Sequence, residues 1–155
     1  EVCDANPANA SLIRQLAIAH NNLGQAIWLT SDAKDPVDQK AAIAEFTIAE
    51  KSLRELVAED NRRHECSSML AAVLHNLGTV YLARSSYSAA IDQLTEALDR
   101  QAQAVKQAPF HQVYRTQLEQ HRELLDQLLR QVRHSPRPYQ RSTSIAKVEA
   151  ADTDG

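Results

Sequence analysis

The sequence predicts an all-α protein made of two antiparallel helix pairs and a C-terminal capping helix. Three observations carry that prediction. Three Gly and five Pro in 155 residues leave little material for the turns of a β fold, and 43% hydrophobic content with only 5% aromatics points to a core of Ala, Leu, Ile and Val. Apolar residues recur at i, i+3, i+4 and i+7 over long stretches. Finally, the chain repeats itself. An offset of 54 places Leu16-Ala17 on Leu70-Ala71 and Asn22-Leu23-Gly24 on Asn76-Leu77-Gly78. An offset of 48 places Ala41-Ala42-Ile43 on Ala89-Ala90-Ile91, Phe46-Thr47 on Leu94-Thr95, and Ala49 on Ala97. The six-residue difference fits in the polar stretch from Thr30 to Lys40.

The elements follow in order. Residues 1–6 (EVCDAN) align with ELVAED at 55–60 and read as the last turn of an earlier helix or a linker. Asn6-Pro7 is an N-cap followed by a first-turn proline, which opens a helix over 7–30. Asp35-Pro36 repeats the signal for a second helix over 36–59, with Asp38 in the first turn near the positive end of the dipole. A third helix is expected over 63–84 and a fourth over 87–107, with Ser85 or Ser86 as the cap between them. Pro109 is read as opening a fifth helix over 110–134, and Pro136 as closing it off. Leu118, Leu125, Leu128, Leu129 and Val132 form one apolar stripe on the fifth helix, and the rest of it is polar, so it closes the core as a solubility cap. The N-terminal side has no such cap, so an exposed apolar surface with Leu12, Leu16 and Leu23 is expected there, docking on a preceding repeat or on a second copy. Residues 135–155 show no helical period and read as a disordered tail, with Arg141-x-x-Ser144 matching a loose basophilic-kinase pattern.

Leu77-Gly78-x2-Tyr81 followed by Ala90-x3-Leu94 and Ala97 resembles the tetratricopeptide repeat (TPR) pattern, and Leu23-Gly24-x2-Ile27, Ala42-x3-Phe46 and Ala49 repeat it. The likeness covers roughly residues 7–134. Its departures are His20 and Leu74 at the family's Trp position, Asp126 at its Gly, and a 48-residue period that exceeds the usual 34 by about two helical turns per helix. The flavour is that of long-helix TPR arrays of bacterial signalling proteins, some linked to Ser/Thr kinase domains. The resemblance implies a solenoid whose first, third and fifth helices line a concave groove. It places Gly24 and Gly78 where each helix crosses its partner, opposite small residues such as Ala42 and Ala90. It also implies a non-catalytic scaffold that binds a peptide or protein in that groove through Asn21, Asn22, Gln25, Trp28, His75, Asn76, Thr79 and Leu82. The positions where some TPR members hold a terminal carboxylate carry Asn21, Gln25 and Asn76, which does not suit that ligand. The alternatives are a structural or self-association segment, or a regulatory appendage of an upstream enzyme such as a Ser/Thr kinase.

Other classes draw little support. A net charge of −3 does not suit phosphate-driven nucleic-acid binding. The total conceals −5 over residues 1–61, +4 over 62–141 and −2 over the last fourteen, which reads as surface solvation. Cys3 and Cys66 without a CxxC suit a reducing cytoplasm. No run approaches the length of a membrane span, so no membrane partner is expected. His64, Cys66 and His75 are the nearest approach to a metal cluster, but their spacing does not put them on one helical face, and no metal or cofactor is expected. No GxSxG, HExxH or phosphate-loop pattern occurs, so no catalytic residues are expected either. His20 is expected to be a packed, satisfied histidine.

Overall fold

The computed structural model describes residues 7–30, 35–59 and 64–134; the residue 1–6 segment, the centre of the first connection and the residue 135–155 tail lie outside them, as does Cys3. Five helices follow one another: α1 (Pro7–Thr30), α2 (Pro36–Glu59), α3 (His64–Ala83), α4 (Tyr87–Gln107) and α5 (Gln112–Arg133). There is no strand among the described residues.

The ends of the helices have local causes. The Asp35 carboxylate accepts the Val37 N–H at 2.8 Å and its carbonyl accepts the Gln39 N–H at 3.0 Å, so Asp35 is the N-cap and Pro36 the first helical residue. α3 ends in a Schellman motif. The Ser86 N–H reaches the Tyr81 carbonyl, the Ser85 N–H reaches Leu82, and Ser85 sits at φ 58° where glycine is usual. Ser86 then holds the N-cap position of α4 without a side-chain capping bond. Pro109 does not open α5. The His111 N–H bonds the Ala108 carbonyl at 3.0 Å, so Pro109 is the second residue of a β-turn, and the helix begins only after His111.

Each helix packs on the next in sequence, and α3 also meets α1 and α5. Two apolar clusters result. The first joins α1, α2 and α3 around Phe46, Leu53, Leu56, Leu70, Leu74 and Leu77, with Ala97 of α4 at its edge. The second joins α4 and α5 around Ala90, Ile91, Leu94, Leu125, Leu128 and Val132, with Tyr81 and Leu82 of α3 against it. The α5 stripe thus buries as expected, with Leu118 and Leu129 partly covered. α3, at 20 residues, holds an 18-residue stretch with a mean hydropathy of 1.3, long and apolar enough by length and composition for a membrane span, which the absence of a long apolar run did not suggest. Here it is the central helix, with more than half of that stretch buried.

The two helix-interior glycines lie at close approaches, where the nearest atoms belong to large side chains, with the Ala90 carbonyl 3.5 Å from a Cβ on Gly78 and no alanine atom among the three nearest to one on Gly24. A Cβ on Gly24 would stand 2.7 Å from the Phe46 ring, and one on Gly78 would stand 2.7 Å from Leu94 Cγ. Ala42 and Ala90 are fully buried one turn away. Large side chains therefore fill the hollow that each glycine leaves. The backbones of α2 and α4 do not approach closely among the described residues, yet Arg54 on α2 donates to both Glu96 carboxylate oxygens on α4, at 2.5 and 2.6 Å, and Glu50 and Arg100 complete the network.

Candidate functional site

The odd helices line an open cleft of about 600 Å³. α1 contributes Arg14, Gln15 and Ile18. α3 contributes Glu65, Ser68, Met69 and Ala72, and α5 contributes Val113, Tyr114 and Gln117. On each helix these positions recur at three- and four-residue steps, so each helix presents one face. A smaller, apolar cavity of about 170 Å³ adjoins it, sharing Ile18, Met69 and Ala72 and reaching Asn21, Leu53 and Val73.

The walls are held by polar links between helices. Arg14 donates to Glu65 at 2.8 Å across the mouth, with both side chains well exposed, so the pair is readily exchanged for other partners. The Ser68 hydroxyl donates to Gln117 at 3.2 Å. Gln101, fully buried on α4, donates from Nε2 to the Tyr114 carbonyl at 3.0 Å and to Gln117 at 3.3 Å. His111 stacks on Tyr114 at 3.7 Å, and His64 Nδ1 lies 3.3 Å from the Tyr114 hydroxyl. Burial raises the Tyr114 pKa, with the nearby Glu65 carboxylate adding to it. The result is an apolar floor of Ile18, Met69, Ala72 and Val113 with a rim of amide and charged groups.

Beyond the cleft, along the same faces, lie several of the residues singled out from sequence. Asn76 Nδ2 donates to Asn21 Oδ1 at 2.9 Å, joining α3 to α1. His75 and His121 meet with their Nδ1 atoms 3.0 Å apart and ring centroids 4.8 Å apart. His121 Nε2 is buried with no hydrogen-bond partner. The tautomers that leave no buried N–H unpaired have His121 donating from Nδ1 to His75 Nδ1. Burial lowers the pKa of both rings, His121 to about 4 with a further push from His75, so the pair is neutral at pH 7.

Asn21, His75 and Asn76 therefore come together at one end of the groove, and Asn21 lines the smaller cavity. Asn22 is exposed and Gln25 half-buried beside them on α1. Thr79 spends its hydroxyl on the His75 carbonyl at 3.0 Å. Trp28 packs against the first apolar cluster and Leu82 against the second, so both point towards the core. None of the eight lines the larger cleft, which lies one to three turns towards the N-termini of α1 and α3. Stepping back by three or four residues from Asn21 and Asn76 reaches Ile18, Arg14, Ala72 and Met69, a signal already present in the sequence. His20 is satisfied by Glu45, with Nδ1 2.6 Å from the carboxylate. Cys66 is buried in the first cluster, and no three His, Cys, Asp or Glu side chains gather among the described residues. Compared with known proteins, the chain matches no family model, no curated protein and no solved structure.

Proposed function

We propose that the chain is a non-catalytic, TPR-like scaffold that holds an extended peptide segment of a protein partner in the groove of α1, α3 and α5. The observation that carries this reading is the 600 Å³ cleft, because its walls come from the three odd helices alone. An apolar side chain of the peptide would sit on Ile18, Met69, Ala72 and Val113. Gln15, Gln117 and the exchangeable Arg14–Glu65 pair would meet its backbone or flanking charges. Asn21, Asn22, Gln25, His75 and Asn76 extend the same face for a longer segment, with Thr79 at its end. Charge-neutral amides dominate that extension, which favours recognition of main chain over recognition of a terminal carboxylate.

The test is selection of peptides from a displayed random library on the 155-residue chain, followed by mapping with backbone amide chemical shifts. Selected peptides are expected to perturb residues 14–21, 65–76 and 113–121, and to lose at least about tenfold in affinity to Ala72→Trp, which fills the cleft while leaving helicity unchanged. Peptides that bind Ala72→Trp as tightly as the parent chain, or that perturb α2 and α4 instead, would overturn the reading.

A further inference from the structure

α1 has two sides that meet solvent. One faces the groove through Arg14, Ile18 and Asn21. The other carries Leu12, Leu16, Ala19, Leu23 and Ala26, in steps of four, three, four and three residues, and all five are exposed. Leu12, Leu16 and Leu23 keep 65%, 50% and 49% of their surface in water. That spacing is the 3.5-residue period of a coiled-coil seam. No side chain of this stripe is charged, and the partly exposed Arg14 lies on the groove side, a depletion that marks interface cores rather than free surfaces.

The internal repeat shows what such a stripe does when covered. Adding 54 carries the five positions onto Cys66, Leu70, Val73, Leu77 and Val80 of α3. All of these are at most 3% exposed, packed in the cluster that α1 and α2 build. Among the described residues, the outer face of α5 does not match this stripe for head-to-tail contact, because it turns Arg122, Glu123, Asp126 and Arg130 outward. A copy of α1 can. In an antiparallel pair about a two-fold axis level with residue 21, each seam layer sets one helix's a position against the other's d position. Leu16 then meets the partner's Ala26, Ala19 meets the partner's Leu23, and Leu12 meets the partner's Thr30. Every layer places a large side chain against a smaller one, and the same patch serves both copies.

We propose that the protein self-associates as a two-fold dimer through this face of α1, packed antiparallel with leucine-on-alanine layers. The reading is independent of the groove, which uses the other side of the helix. Sedimentation equilibrium on the full chain over a dilution series is expected to give twice the 17.3 kDa chain mass. Leu16→Glu with Leu23→Glu is expected to raise the dissociation constant about a hundredfold or more, with the helical circular dichroism retained because both positions are exposed. Ala19→Leu with Ala26→Leu is expected to weaken the dimer as well, since large would then meet large. That arm separates defined packing from general stickiness, which added leucines would strengthen. A chain that stays monomeric at every concentration leaves this face to a different partner and overturns the proposal. So does a dimer indifferent to the glutamates, or one tightened by the added leucines.

Discussion

At the residue scale, the two helix-interior glycines are the most informative positions in the chain. A glycine inside a helix costs roughly 1 kcal/mol against alanine, and the sequence alone signals that something recovers this. What it does not reveal is the opposing group. Ala42 and Ala90 are one helical turn from Phe46 and Leu94, and that turn is set by the relative slide of two helices, which no local pattern encodes. The consequence for mutation is sharper with the observed partners. Phe46 is fully buried and Leu94 has no exposed surface, so neither can swing away from a Cβ 2.7 Å distant. Gly24→Ala and Gly78→Ala are each expected to destabilise the fold. The overpacking cost of about 1–3 kcal/mol exceeds the roughly 1 kcal/mol of helix propensity gained. Urea unfolding midpoints check this, and a raised midpoint in either variant would contradict the close approach. The asparagines teach a related lesson. Asn21 and Asn76 read as ligand-facing in sequence, and they do border the groove, but each already holds the other.

At the element scale, the helix boundaries were legible because their causes are local. The Asp35-Pro36 cap, the serine pair after α3 and the apolar stripe of α5 all act within a few residues. Pro109 misled because proline serves equally at the first turn of a helix and at the second position of a β-turn. The anchoring of α5 was not legible at all. His121 lies 46 positions from His75, and their pairing depends on α5 crossing α3. Burial of the two rings, with His75 adding to the shift of His121, makes α5 sensitive to acid. The folded His121 pKa of about 4 lies below the ordinary 6.5, and that of His75 is lowered too. The unfolded chain therefore binds protons more readily between those limits, so stability is complete above about pH 6.5 and declines as pH falls towards about 4. For His121 alone the loss reaches about 2 kcal/mol near pH 5. Unfolding midpoints measured near pH 7.5 and near pH 5 should differ accordingly, and His121→Phe should remove most of the difference. An unchanged pH dependence in that variant would place the sensitivity elsewhere.

At the scale of the whole molecule, the all-α class and the order of helices followed from composition and repeat, whereas the site of the cleft did not. Its position depends on how far α1, α3 and α5 are offset along their axes, a tertiary quantity with no sequence period. The same helix order has a dynamic consequence. Contacts run mainly from each helix to its neighbours, so opening at an end costs only one interface, while opening the middle breaks several. α3 contributes to the first apolar cluster and borders the second, whereas α5 belongs to the second alone and meets α3 sparingly. Amide hydrogen exchange is therefore expected to be slowest in α3, close to the rate set by global unfolding, and faster in α5. Lowering the pH towards 5 should widen that gap beyond the intrinsic change in exchange rate, because the His75–His121 link fails before the apolar contacts of Leu125 and Leu128 do. Equal protection of α3 and α5 at both pH values would mean that the five helices open as one cooperative unit, and that the neighbour-to-neighbour packing does not divide the stability of the fold.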